Sequence, residues 1–327
     1  MINLFKLISQ TTAYRTVKAD NEKNKLSHAY LILSNDGENL TEILKIFAKL
    51  ILCKESEPCG KCRVCKLVEE NAFSDLLIYP KNKEVIVSED INELIEESFI
   101  KPLESDKKIF LLSNAELMNA QAQNKLLKTL EEPPENVHIF LGATSEFALL
   151  PTVKSRLKKL QIPPFSSATL FEALKDEFTD TERLKEAIAC GDGTVGQAKL
   201  NYLDEKLKEV SSLIEDIIVN MKSSSDVLEY STKISSSKCD FDQFLSVFEL
   251  KLRDMLVKQQ NEEEVVFNKS ALDRVSCANN FSVGALIYAL ESVNQAVMRK
   301  KFNVNITMLT EWLLLKILEG KYKWQKL

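Results

Sequence analysis

Four cysteines crowd one short run, CKESEPCGKCRVC, at Cys53, Cys59, Cys62 and Cys65. The two-residue spacings let tight turns bring the sulfurs to about 3.7 Å of one another around a tetrahedral ion, and Gly60 and Lys61 suit such a knuckle. Four thiolates leave no open position, so a zinc held here would be structural. An iron–sulfur cluster is the rival, since closely spaced cysteines also hold clusters. Against it, the proline that commonly follows the last cluster cysteine is missing and Pro58 precedes the run instead. Four uncoordinated thiols are the bland alternative, and charged flanks would leave them open to oxidation. The remaining three of the seven cysteines, Cys190, Cys239 and Cys277, stand alone and read as small apolar core residues. This clustering points to metal ligation in a reducing compartment, not to a disulfide framework.

Two further groups could meet phosphate. Ser155 and Arg156 follow the polar run Thr152 to Lys154 and precede Lys158 and Lys159. A guanidinium is always charged and can bridge phosphate oxygens, although such a run alone is ordinarily a solvated basic edge before a strand. The second group is Ser34, Asn35, Asp36, Gly37, Glu38, Asn39, Leu40 and Thr41, a turn-like stretch directly after an apolar run. His28 and His138 flank or lie in apolar strands without a Ser, Cys or carboxylate at triad-like spacing, so both read as structural.

The elements that must position these groups are legible as alternation. Ala29–Leu33, Leu76–Tyr79, Lys108–Leu112, Val137–Leu141 and Lys159–Ile162 have strand length and β-branched or aromatic content. Between them, Leu40, Ile43, Leu44, Phe47, Leu50 and Ile51 follow one-faced helical spacing. Ser88 is placed to cap a second helix carrying Ile91, Leu94, Ile95 and Phe99. A third, Ala120 to Glu131, is stopped by Pro133 and Pro134. Strands separated by helices imply parallel pairing with crossovers, hence a three-layer α/β domain over 1–163 with the cysteine module at 53–65.

Beyond Pro163 and Pro164 no convincing strand follows. Ser166 or Ser167 can cap a helix to Phe178, Thr179 and Glu182 have capping-box spacing, and Gly191 and Gly193 end that next helix before another begins near Val195. This makes a compact three-helix unit over 164–203. Long amphipathic segments, such as Phe241 to Val257 and Val283 to Met298, then predict an all-α domain over 204–327. Trp312 to Leu315, Ile317 and Leu318 are apolar nearly all round their helix, which calls for burial on several sides.

Composition agrees with a mostly helical, soluble chain. Of 327 residues, 45% are hydrophobic and 28% charged, and Gly and Pro number only 8 each, too few for the tight turns of a barrel or sandwich. The net charge of -5 gives no overall basic field for gathering nucleic acid, so any DNA contact must be local or shared with partners. Met1 to Gln10 is amphipathic without the features of a signal peptide, and no run approaches the ~18 apolar residues of a membrane span, which together predict a cytoplasmic location.

Four segments together carry a resemblance: HAYLIL (His28 to Leu33), the four-cysteine insertion after the first long helix, NKLLKTLEEPP (Asn124 to Pro134) and LLPTVKSR (Leu149 to Arg156). The sequence resembles the subunits of the bacterial DNA polymerase III clamp loader, which have the AAA+ fold. The likeness implies a RecA-like N-terminal domain with a zinc insertion, a three-helix lid and a helical collar for oligomerisation. It also implies membership of a hetero-pentamer with gamma or tau and delta subunits, acting on the sliding clamp and primer-template DNA.

Within that family the positions for nucleotide chemistry have changed. A phosphate loop needs GxxxxGK[ST], because glycine amides cradle phosphates and the lysine neutralises them. Here Ser34, Gly37 and Thr41 survive in a degenerate loop, Leu40 stands at the lysine position, and Asp36 and Glu38 would repel a polyphosphate. The strand expected to end in Asp-Glu ends in Ser113 and Asn114, and Gly193, Thr194 and Val195 lead to Gly196 where an arginine is expected. Bound ATP and intrinsic hydrolysis are therefore not expected. By the resemblance, Ser155 and Arg156 belong to a Ser-Arg-Cys element that offers an arginine finger to ATP on a neighbouring subunit, with Leu157 in place of the cysteine. Leu126, Leu127 and Leu130 would pack inward while Asn124, Lys128, Glu131 and Glu132 face a neighbour. Ala143 and Thr144 stand where relatives sense the γ-phosphate. Two other functions compete: an independent nucleotide-binding switch using the degenerate loop, and a zinc-dependent nucleic-acid module. The second would use Lys54, Lys61, Arg63 and Lys66, whose charges Glu55, Glu57, Glu69 and Glu70 offset.

Overall fold

A computed structural model describes residues 2–55, 57–81, 85–236, 241–259, 281–300 and 304–323. Its first unit comprises Met1–Ala173 together with Thr194–Gly196, and its second comprises Leu174–Gly193 and Gln197–Leu327.

In the first unit five strands form one sheet: β1 (Ala29–Ser34), β2 (Leu76–Tyr79), β3 (Lys108–Leu112), β4 (Val137–Ala143) and β5 (Lys158–Ile162). All pairings are parallel and the order is β2-β3-β4-β1-β5. The expected strands are present to within two residues, because short β-branched runs between helices have few other places to go. Helices α1 (Ile2–Ser9), α2 (Thr12–Glu22), α3 (Leu40–Leu52), α4 (Arg63–Glu69), α5 (Ser88–Ser98), α6 (Ala120–Glu131), α7 (Pro151–Lys154) and α8 (Ser167–Leu174) complete the unit.

Strand periodicity divides the core into two layers. Ala29, Leu31, Leu33, Phe110 and Leu141 pack with Ile91, Leu94, Leu126 and Leu130 from α5 and α6. On the opposite face Tyr30 stacks on Phe140 with ring centroids 4.9 Å apart, and Phe47 of α3 lies 6.1 Å from Phe140. Tyr14 of α2 extends this row to Phe47. Sheet and flanking helices thus make the three layers expected of a parallel α/β unit.

Two caps differ from expectation. Ser88 is the first residue of α5 and caps nothing; the N–H of Val87 is instead received by Asp90 at 2.9 Å. The helix after 178 begins at Thr181 and is capped by Asp180, which accepts from the N–H groups of Glu182 and Arg183. The Asp180 carboxylate, one residue nearer the first turn, takes the capping place expected of the Thr179 hydroxyl. Ser166, not Ser167, caps α8 by accepting from the Thr169 N–H.

Described residues after Ile162 are helical where they are regular. α9 (Thr181–Ala189) and α10 (Val195–Leu203) precede α11 (Glu205–Asn220), α12 (Ser224–Ser236), α13 (Phe241–Gln259), α14 (Val283–Lys300) and α15 (Ile306–Lys323). Leu313, Leu314, Ile317 and Leu318 of α15 are buried in one large cluster with Phe244, Phe248, Leu286 and Val293. Leu315 remains 46% exposed, so that helix is buried on most but not all sides. Arg299 covers Trp312 with its guanidinium 3.9 Å from the ring centre. Cys190 packs against this cluster, and burial pushes its thiol up to about 12. Cys239 and Cys277 lie outside the described residues. No helix among the described residues is long and apolar enough to cross a membrane.

Candidate functional site

The sheet order reverses direction around β1 and β4: the chain crosses from β1 to the β2 side, and from β4 to the β5 side. A crevice outside the carboxyl ends at such a reversal is where α/β sheets take ligands. Ser34 ends β1, and Asp36, Ser113 and Thr144 follow the ends of β1, β3 and β4 at that edge.

Their contacts depart from those of a nucleotide site. Leu40, at the lysine position, is 1% exposed and packs on the backbone of β4, where a Cβ on Gly142 would lie 2.9 Å from the Leu40 Cγ. Thr41 and Ser113, the positions that would share a metal ion, instead form a direct hydroxyl–hydroxyl hydrogen bond of 2.7 Å. Two neutral hydroxyls supply no anionic oxygen for a magnesium ion. Asn114 takes a left-handed turn, φ 55°. Thr144 donates its N–H and hydroxyl to Glu116, a carboxylate the sequence reading missed.

Asp36 is likewise turned inward. Its carboxylate is 5% exposed and accepts hydrogen bonds from the N–H and the side-chain amide of Asn39, and from the backbone N–H groups of Val195 and Gly196. The sequence suggested only repulsion of phosphate; a contact spanning 160 residues has no local signal.

Arg156 lies at the other edge. β1 and β5 run parallel with Tyr30 opposite Lys158 and Ser34 opposite Ile162. Arg156 therefore precedes the start of its strand while Asp36 follows the end of its neighbour, and the paired stretch Tyr30–Ser34 between them alone spans roughly 13 Å at ~3.3 Å per residue. The guanidinium donates to the Thr152 carbonyl (2.6 Å), the Ser155 hydroxyl (3.3 Å) and Glu131 at the end of α6 (2.5 Å), with a third of the side chain exposed. Leu157 is buried in the sheet core beside it. Lys158 and Lys159 are paired with Asp20 and Glu146.

Gln123 fixes the short segment leading to Arg156. It is buried on α6, donates to the Met118 and Ala148 carbonyls and accepts from the Leu150 N–H at 2.7 Å, directly before α7. Around it Leu126 and Leu130 are buried, while Asn124, Lys128, Glu131 and Glu132 are exposed. His138 is structural in its contacts, with Nδ1 2.9 Å from the Ser27 carbonyl and burial lowering its pKa, whereas Nε2 of His28 is buried without a hydrogen-bond partner.

The four cysteine sulfurs all lie within 4.8 Å of one another. Cys53 Sγ is 3.7 Å from that of Cys59 and 3.9 Å from that of Cys62, matching the separations expected around a tetrahedral ion. Two N–H···S bonds, from Cys62 to Cys59 and from Cys65 to Cys62, build the knuckle, and Gly60 supplies its positive φ of 67°. Burial raises the Cys53 thiol and pushes Cys65 up to about 12, whereas backbone N–H groups of Lys61 and Cys62 lower Cys59 to about 6. The donor set fits a metal ion that prefers sulfur, and Arg63 at its edge is paired with Glu104.

The chain is similar to known proteins over most of its length. The sequence model of the family described as DNA polymerase III, delta subunit, matches residues 9–166. The DNA polymerase III subunit delta' of Bacillus subtilis (strain 168) is 26% identical over 91% of this chain and 93% of its own length. Over nearly its whole length the chain is thus similar to a DNA polymerase III delta-prime subunit. The tau/gamma subunit of Haemophilus influenzae is 33% identical over 46% of the chain, a match covering 22% of that longer protein. Among solved structures, a gamma subunit-related protein of Thermotoga maritima aligns over 94% of this chain and 99% of that one at 20% identity and a TM-score of 0.39. Residues 9–166, the stretch that the family model matches, hold the cysteine cluster, both sheet edges and Arg156.

Proposed function

We propose that the chain is a non-hydrolysing subunit of the DNA polymerase III clamp loader. It offers Arg156 to ATP held by a neighbouring subunit and helps load the sliding clamp on primer-template DNA. The observation that carries this reading is the opposition of the two edges. The chain's own phosphate loop is filled by Asp36 and Leu40, while Arg156, a third exposed, lies at the far end of the neighbouring strand, too distant to serve that loop. A guanidinium there has phosphate to meet only on another chain.

The partners in this reading are gamma or tau and delta subunits, as the names of the relatives suggest, assembled through the helical collar over 204–327, with 164–203 as the lid and the whole complex cytoplasmic. Zinc is the metal that the four cysteines would hold. Its chemistry there is structural: it would tie Cys53 at the end of α3 to Cys65 in α4 and leave no position for a reactant. Around it this chain's own residues fix the geometry, with Gly60 supplying the turn and the Cys62 and Cys65 N–H groups holding sulfur.

In the assembled loader, Arg156→Ala is expected to lower clamp- and DNA-stimulated ATP hydrolysis by about 10³-fold or more without weakening assembly. Unchanged hydrolysis in a fully assembled complex would remove the finger from this account. Calorimetry on the isolated chain should show no Mg-ATP binding, whereas micromolar binding would favour a nucleotide switch.

A further inference from the structure

We propose that Asp36 is an internal anion that fills the phosphate position of the loop after β1, making it the residue that closes this site to nucleotide. The inference rests on reading residues 34–41 as a degenerate phosphate loop. A working loop aims backbone N–H groups and a helix N-terminus at a phosphate. Here the same kind of donors converge on a carboxylate supplied by the chain. Asp36 accepts from the Asn39 N–H at the start of α3 (3.3 Å) and from the Asn39 side-chain amide (3.0 Å). It also accepts from the Val195 and Gly196 N–H groups in the first turn of α10, at 3.1 and 3.1–3.2 Å. Residues 194–196 group with the first unit although the chain on both sides of them belongs to the second.

Burying a carboxylate is costly unless its charge is met. Each of these donors is neutral, so the negative charge is balanced by the positive ends of two helices. An ordinary capping aspartate serves the helix that follows it; this one serves two helices whose starts are far apart in sequence. The approach depends on glycine: a Cβ at Gly196 would lie 2.4 Å from an Asp36 carboxylate oxygen and 2.8 Å from the Glu38 Cβ. No phosphate can reach these N–H groups until Asp36 leaves them. Residues 195–196 are held to the loop by the protein itself, in a fixed arrangement that nucleotide neither creates nor releases.

Hydrogen exchange on the full chain, followed by mass spectrometry of peptides covering 34–42 and 190–200, tests this directly. Asp36→Ala and Gly196→Ala are each expected to speed exchange at Val195 and Gly196 by about tenfold or more. The double variant should be no faster than the faster single one, because both changes remove the same contact. Asp36→Asn, which keeps one acceptor oxygen, should fall between. Peptides covering β3 should be unchanged, showing that the sheet remains folded. Adding Mg-ATP to the parent chain should leave both regions as they were. Parent-like exchange in Asp36→Ala and in Gly196→Ala would overturn the proposal, and so would loss of protection at 195–196 on adding Mg-ATP. The Arg156→Ala hydrolysis test uses neither residue, so either idea can fail while the other stands.

Discussion

At the carboxyl edge of the sheet, Asp36, Leu40, Thr41 and Ser113 are met by their own neighbours, through four N–H groups, the backbone of Gly142 and one hydroxyl pair, while Glu116 takes Thr144 on Oε1 and keeps Oε2 buried without a hydrogen-bond partner. At the amino edge, Arg156 is held by Glu131 and a carbonyl and keeps a third of its side chain in solvent. The first edge is largely filled by the chain's own side chains. The second presents a charge that only a further group can use fully. On the proposed non-hydrolysing reading, the difference teaches how a fold could keep its shape while internal contacts stand in for those of a nucleotide. Leu40 fills the place of a lysine, and a hydroxyl pair stands where a hydroxyl and a carboxylate would share a metal.

The largest expected effect sharpens the amino edge. Arg156→Lys keeps the charge but not the planar fork that bridges phosphate oxygens, so hydrolysis by the assembled loader should stay close to the Arg156→Ala level. Parent-like turnover in that variant would reduce the edge to a general positive field. At the carboxyl edge, Gly142→Ala inserts a methyl 2.9 Å from the Leu40 Cγ. Both flanking layers are packed there, so urea unfolding should show a loss of about 1–3 kcal/mol. An unchanged midpoint would mean that Leu40 is free to swing away and that the edge is not closed by packing.

A carboxylate nested in N–H groups is not confined to the nucleotide edge, and Asp75 supplies the comparison at the amino end of β2. It is 1% exposed and accepts from the N–H groups of Leu103, Glu104 and Ser105. Burial alone would raise its pKa, but these N–H groups outweigh it and bring the carboxyl below its usual range. The folded value then lies below the unfolded value of about 3.9. The stability that Asp75 contributes is complete above the unfolded value and is lost as pH falls through the folded one. Asp75→Asn should therefore flatten the acid limb of a stability-against-pH profile below about pH 4. An identical limb in both proteins would show that the nest around residues 103–105 does not depend on charge.

What the sequence made legible was local. The strands were visible as short apolar runs between helices, the end of α6 at Glu131 follows from the two prolines, and the cysteine knuckle was readable because its ligands and glycine lie within one run of thirteen residues. Arg156, Leu40 and Ser113 could be singled out by residue type. Contacts between distant segments could not. Nothing in residues 34–41 indicates that Asp36 meets Val195, and Thr41 gives no sign of bonding Ser113. Gln123 was hidden because a buried carboxamide inside a leucine-rich helix looks like any surface polar residue until its three backbone partners are known. The caps at Ser88 and Thr179 were misplaced by one or two residues, since which side chain caps depends on the angle at which the chain enters the helix.

The smallest expected effect concerns Glu131, and it decides how the open edge is held. The Glu131–Arg156 pair is exposed, with 48% and 33% of the two side chains accessible, and pairs of this kind contribute about 0–1 kcal/mol. Glu131→Gln should therefore leave the unfolding midpoint of the chain nearly unchanged. Glu131 also competes with phosphate for the same guanidinium, and a competitor of that strength can shift apparent affinity by no more than about fivefold. In the assembled loader, Glu131→Gln is expected to lower the KM for ATP within that limit and to leave kcat as it was, which steady-state hydrolysis can separate. A fall in kcat approaching that of Arg156→Ala would mean the opposite relation: Glu131 would orient the guanidinium for transfer, and the edge that looks open would be as carefully built as the one that is closed.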